Sequence, residues 1–226
     1  MQRFSVRLLV ALLAFLTGVA AVAVWLSCRE TVTIISDSQQ VLVITPVQVS
    51  KPSQPKWGHL LYPYLEKHTS LAGLAELRST PLPRGDLEVR VWYGFGLTAL
   101  EGFVLRRADG QWSALHLQGD AYYEPKRVKV KRLPPPRSGW DSAWERLLAA
   151  GIRTLPDSSE IDYDTGGTDG WAYLVELREG DSYRAFNYQI PEYSRRPEAR
   201  HVLEIGNAVG EEFRLPDFKE VEVPGR

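Results

Sequence analysis

Nineteen consecutive residues, Leu8 to Leu26, carry no charge, and only Thr17 and Gly18 interrupt their apolar character. As a helix rising about 1.5 Å per residue, a run of this length approaches the ~30 Å hydrocarbon core of a bilayer. A segment that partitions into a membrane decides on which side the remainder of the chain folds. Arg3 and Arg7 precede the run and no acid does, so the positive-inside rule keeps the N-terminus in the cytoplasm and sends the rest across. Trp25 closes the run, where an indole prefers the interface. The length favours an uncleaved signal anchor, because the apolar core of a cleaved signal peptide is usually about 7–15 residues. Two alternatives stay open. Ala21-Val22-Ala23 has the small-x-small form that a signal peptidase accepts. Cys28 is placed to carry a lipid anchor, although Trp25 stands where a lipobox usually has a small aliphatic residue. All three readings put the domain outside the cytoplasm, with the membrane as its first partner.

Charge and cysteine use narrow the classes further. The chain has 27 basic and 28 acidic residues; setting aside Arg3 and Arg7 leaves 25 basic residues against the same acids. Such a mixed-sign composition argues against a nucleic acid partner, which demands a concentrated basic face. Cys28 is the only cysteine, so intramolecular disulfides and multi-cysteine zinc sites are excluded. At 226 residues and 44% hydrophobic content, the chain can bury a core without such staples.

Periodicity then divides the chain into 1–28, the anchor or signal peptide; 29–56, a membrane-proximal strand segment with a proline-rich linker; and 57–226, an extracytoplasmic α+β domain. Thr31 to Ile35 and Val41 to Ile44 read as strands around a Ser36–Gln40 turn. Pro46, Pro52 and Pro55 mark the linker. Residues 57–85 are ambiguous, with Leu71, Leu74 and Leu77 spaced for one short helix face. Leu87, Val89 and Val91 alternate with Glu88, Arg90 and Trp92, the pattern of a half-buried strand. Asp109-Gly110 predicts a type I′ hairpin that sets Arg107 opposite Trp112, Leu105 opposite Ala114 and Phe103 opposite His116, with a cation–π contact between Arg107 and Trp112. Arg127 to Arg132 alternates as another strand, stopped by Pro134-Pro135-Pro136. Ser138 to Asp141 resembles a capping box for a helix reaching Ala150, with Trp140, Trp144, Leu147 and Leu148 on its apolar face. A second hairpin turns about Glu179-Gly180, and Pro197 opens a last amphipathic helix through Phe213 that Gly206 and Gly210 are expected to shorten. Val221 and Val223 suit one more edge strand. The expected fold is therefore α+β, a mainly antiparallel sheet packed against two helices, in which strands followed by a helix occur twice.

The sequence names no chemistry. Asp162 to Gly167 imitates the start of a calcium loop, but Gly166 and Tyr173 stand where ligands are needed; a connecting loop is the expected reading, and neither a metal nor a cofactor is expected. His59, His68, His116 and His201 lack metal-ligand spacing, no serine sits in a Gly-x-Ser-x-Gly elbow, and Gly94 and Gly96 precede no helix that would make a phosphate loop. Asp157, Glu160, Asp162 and Asp164 are the acids available to a hydrolase acting on an envelope polymer.

Seven tryptophans and ten tyrosines are the least ordinary feature. Trp140 and Trp144 are expected in the core. Trp57, Tyr62, Tyr64, Tyr122 and Tyr123 lie in segments without clear periodicity, and they form the candidate binding set for a protein or cell-wall glycan of the envelope. The competing expectation is that Trp57 to Tyr64 folds back and plugs the open face of the sheet. The run from Leu87-Glu88-Val89-Arg90-Val91-Trp92 to Ala114-Leu115-His116, with Gly170 to Tyr188, resembles bacterial exported proteins of uncharacterised function. That resemblance covers about residues 87–213 and implies an envelope location without any activity. The expected function is a non-enzymatic binding module of the cell envelope, with the hydrolase as the alternative.

Overall fold

The computed structural model describes residues 33–34, 42–43, 55, 57–95, 99–120, 124–163 and 171–218. The chain divides into two compact units, 1–50 and 51–226. In the first, β1 (Thr33–Ile34) pairs antiparallel with β2 (Leu42–Val43), Thr33 opposite Val43. Leu8 to Leu26 lies outside the described residues, and among those described no helix is long and apolar enough to cross a membrane.

The second unit runs α1 (Gly58–Leu71), β3 (Leu87–Gly94), β4 (Glu101–Ala108), β5 (Gln111–Gly119), β6 (Val128–Arg132), α2 (Trp140–Ala149), β7 (Ala172–Glu179), β8 (Ser182–Gln189) and α3 (Pro197–Phe213). Its six strands form one sheet in the order β6-β5-β4-β3-β7-β8, antiparallel throughout. Asp109 and Gly110 both take positive φ, +50° and +74°, as a type I′ turn requires. The register follows: Arg107 opposes Trp112, Leu105 opposes Ala114 and Phe103 opposes His116. The Arg107 guanidinium lies 5.3 Å from the Trp112 ring centre.

The layers differ from the expectation of two helices. Odd-numbered positions of β3, with Phe103, Leu105, Val175 and Phe186, pack beneath α2 and α3 in the larger core. The opposite face carries Trp92, Val104, Leu117 and Leu174, and there a third helix, α1, inserts Leu61, Tyr62 and Leu65. The sheet is therefore covered on both sides, and β3 is a buried strand rather than a half-buried one. Helix α1 ends at Leu71, so Leu74 and Leu77 belong to the following loop and not to a helix face. Pro63 inside α1 and a weak apolar stripe hide this helix in the sequence; packing on the sheet stabilises it where propensity does not.

On the α1 face, β3 and β7 each carry Glu-x-Arg. Antiparallel pairing sets Glu88 opposite Arg178 and Arg90 opposite Glu176, all four buried. Both arginines reach loop carbonyls, and Arg90 also pairs with Glu88 of its own strand. Arg90 bonds Glu88 at 2.8 Å and the Ala75 carbonyl at 2.8 Å. Arg178 donates to the carbonyls of Thr80, Asp181 and Arg78. Loop carbonyls that strand ladders do not reach are thereby satisfied by sheet side chains, which is what lets an irregular segment lie buried.

The expected capping box at Ser138 is absent. Helix α2 starts from Gly139 with no side-chain cap, and the amides before it go to α3: Arg137 to the Glu212 carbonyl at 3.1 Å and Ser138 to Glu212 Oε2 at 2.9 Å. Helix α3 runs through both glycines to Phe213. Gly206 is required there because a Cβ would stand 2.6 Å from the Tyr173 hydroxyl oxygen.

Candidate interaction surface

Three of the five aromatic candidates fall among the described residues, all in or beside α1. Tyr62 is 4% exposed and belongs to the core beneath that helix. The Trp57 ring lies 5.3 Å from that of Tyr62, tilted by 45°, and its indole N–H donates to Asp157 at 2.6 Å. Tyr64 is partly buried against the same cluster, and its carbonyl accepts from His68 at 2.8 Å. The Tyr62 hydroxyl meets Tyr183, which donates to Glu176, and Arg78 lies 4.2 Å over the Tyr62 ring. Burial pushes the Tyr62 phenol up to about 12, against the opposing effect of the Tyr183 hydrogen bond. These contacts place the Trp57–Tyr64 segment over the second face of the sheet. Tyr122 and Tyr123 lie outside the described residues.

The acids weighed for hydrolysis are engaged differently. Asp157 is buried and receives Ser159 N at 2.9 Å, Asn187 N at 3.0 Å and the Trp57 indole. With Glu160 it forms a capping box on the short 3-10 turn Ser158–Glu160, so the box that the sequence places at Ser138 occurs here instead. Asp162 is fully exposed, 3.3 Å from Arg196, and Asp164 lies outside the described residues. His116 shares a 2.5 Å hydrogen bond with Glu101 across β4 and β5.

An exposed basic run lies at one edge of the sheet. From Lys126 to Arg137 the chain has six basic residues and no acid, and β6 in its middle is one of the two outer strands of the sheet, β8 being the other. Register with β5 sets Lys131 opposite His116 and Lys129 opposite Gln118, so both lysines project on the α2 and α3 side. Val128 and Val130 alternate to the other side, and Val130 is 42% exposed. The strand is held in place from its start. Asp120 accepts the backbone amides of Lys126 at 2.9 Å and Arg127 at 3.2 Å. The Arg127 amide first, with Lys126 and the Arg127 side chain, holds the Asp120 carboxyl below its usual range. A groove of about 690 Å³ opens beside it, between Leu71 at the end of α1 and Lys126, Arg127 and Lys129. An edge strand offers outward N–H and C=O groups at alternate residues, and a row of lysines makes that edge repel strands of its own kind while favouring acidic ones. The basic run was visible in the sequence; that it forms an outer strand depends on topology.

No family model, no curated protein and no solved structure matches this chain.

Proposed function

We propose that this chain is a membrane-anchored, non-enzymatic binding module of the cell envelope, with β6 as its docking edge for an extended acidic segment of a protein partner. In this reading Leu8 to Leu26 is the signal anchor, residues 29–56 lead away from the membrane, and residues 57–226 form the extracytoplasmic binding domain. The observation that carries it is the exposed outer strand, whose lysines alternate with valines on a chain of net charge −1. A partner strand would add main-chain hydrogen bonds at the edge and place carboxylates beside Lys129 and Lys131. Exposed pairs of this kind give about 0.2–1 kcal/mol each, so they select the partner more than they hold it.

The test uses the full chain in lipid nanodiscs and a fluorescent peptide of alternating glutamate and valine. Saturable binding is expected that weakens at least tenfold in the Lys129→Glu/Lys131→Glu variant and falls with added salt. Binding equal in the variant would reject β6 as the docking edge. A C-terminal reporter active only after export checks the orientation, and fluorescence from a cytoplasm-only reporter would reverse it.

A further inference from the structure

We infer that the cleft where β3 begins, β4 ends and β7 turns into β8 binds a small zwitterion of amino-acid size. Arg84 and Arg107 take its carboxylate and Asp86 takes its ammonium. The site shares no residue with β6 and is a second binding function beyond the docking edge.

The cleft has a volume of about 430 Å³, room for one small ligand. Register builds its floor. Leu87 opposes Arg107 on β4 and Glu179 on β7, so these three side chains share the sheet face that carries α2 and α3. The loop before β3 closes the end. Leu82 N donates to the Gly180 carbonyl at 3.0 Å and Gly180 N to the Asp86 carbonyl at 3.2 Å, which ties that loop to the β7–β8 turn. Two further bonds tie it to β4: Arg107 Nη2 donates to the Gly85 carbonyl at 3.3 Å, and Asp109 N to Asp86 Oδ1 at 3.0 Å. A guanidinium and a carboxylate are thereby fixed from neighbouring positions, yet no ion pair joins them. Among the described residues, neither Arg84 nor Arg107 has a carboxylate within 4.0 Å. The other acids of the lining are engaged. Both Glu179 oxygens accept from Arg153, at 3.1 and 2.5 Å, and Asp181 acts on the Arg178 guanidinium. Asp86 is only 8% exposed; its Oδ1 is occupied, and its Oδ2 has no hydrogen-bond partner but is not sealed in the interior. That oxygen therefore opens to the cleft that Asp86 lines. What remains is two guanidiniums and one confined carboxylate beside the apolar Leu82 and Leu87. A simple anion would leave Asp86 without a counter-charge, and a simple amine would be repelled by the arginines. A ligand carrying both charges satisfies both with charge-assisted hydrogen bonds. The four bonds that hold the loop keep these groups in place before the ligand arrives, which lowers the entropy lost on binding.

The test is calorimetric titration of the full chain in lipid nanodiscs with leucine, whose side chain suits the Leu82 and Leu87 walls. Saturable binding is expected. Isocaproate, which lacks the ammonium, and isoamylamine, which lacks the carboxylate, should each bind about tenfold or more weakly, as the loss of a charged hydrogen bond implies. Asp86→Asn and Arg107→Gln should each weaken leucine by a similar factor. The asparagine keeps an Oδ1 for Asp109 N, so Asp86→Asn removes the charge and leaves the loop tied. Arg84 is exposed and its side chain bonds no described residue, so Arg84→Ala weakens binding without unfolding the chain. The Lys129→Glu/Lys131→Glu variant should bind leucine as the parent does. Absence of saturable leucine binding overturns the inference. Isocaproate or isoamylamine binding as tightly as leucine overturns the zwitterion, and unchanged affinity in both Asp86→Asn and Arg84→Ala overturns the cleft. Loss of leucine binding in the β6 variant overturns it too, by moving the ligand to that edge. Binding of the glutamate–valine peptide is read separately, so the cleft and the docking edge stand or fall apart from each other.

Discussion

Gly102 and Gly206 are glycines because aromatic rings occupy the space a Cβ needs. A Cβ on Gly102 would lie 2.6 Å from the Trp92 ring, which is directly opposite across β3 and β4. A Cβ on Gly206 would lie 2.6 Å from the Tyr173 hydroxyl oxygen and 2.8 Å from its ring carbons. Both rings are buried and packed, so neither yields as a flexible side-chain tip would. In Gly206→Ala, relief of the helical glycine returns about 1 kcal/mol. Overpacking costs about 1–3 kcal/mol, and the displaced Tyr173 hydroxyl loses its bond to the Phe218 carbonyl, about 1 kcal/mol more. Urea denaturation of Gly206→Ala should therefore show a net loss; a gain in midpoint would refute the close contact. Tyr62 supports a second prediction at this scale. Its phenol is raised from 10.0 to about 12, so the folded state favours the neutral form. That contribution is complete below pH 10 and is lost as pH rises through 12. Phenolate absorbance of the native protein should show a late-titrating tyrosine missing from Tyr62→Phe.

Helix α2 lacks a cap of its own and borrows one from α3. Glu212 accepts Ser138 N with its carboxylate and Arg137 N with its carbonyl, and its other carboxylate oxygen lies 3.3 Å from Arg146. Burial pushes the Glu212 carboxyl upward, but the Ser138 and Arg146 hydrogen bonds outweigh it and hold the group below its ordinary 4.5. The folded value is depressed, so the stability it contributes is present above pH 4.5 and is lost as pH falls through the folded value. Glu212→Gln should be less stable than the parent at neutral pH, and the difference should shrink on acidification. Denaturation midpoints across the acid range measure this; a pH-independent difference would mean that the carboxylate charge is irrelevant to the cap.

The molecule as a whole places two cores on one sheet. Leu147 of α2 and Tyr62 of α1 lie on opposite sides of strands that both cores share. Loss of either core exposes the same sheet, so the second unit should unfold as one body. Leu147→Ala should cost about 2–5 kcal/mol and Tyr62→Ala about 3–5 kcal/mol. Each should shift a single transition, with far-ultraviolet circular dichroism and tryptophan fluorescence superimposed. Separate transitions for the two signals would show that the α1 layer melts independently.

Local chemistry was legible in advance wherever short-range rules decide structure. Asp109-Gly110 determined its turn, and the turn determined the register of β4 and β5, because positive φ at two adjacent residues leaves few alternatives. Period-two alternation located β3 and β6, and Pro197 located the start of α3. The identity of the partner across space was not legible. Nothing in Gly206 announces the Tyr173 ring that explains it, so α3 looked shorter than it is. The Ser138 box yielded to Glu212, some seventy residues later in the chain, because a buried carboxylate from α3 reaches those amides first. Trp57, Tyr62 and Tyr64 gave no period of their own, since α1 is stabilised by the second face of the sheet and not by its propensities. Arg127 to Arg132 read only as an alternating strand, and the strand order made it an outer one. Sequence determined the turns, the strands and their alternation through local sterics and periodicity; tertiary structure alone decided which faces are covered and which edge stays open, because those depend on contacts between residues far apart in the chain.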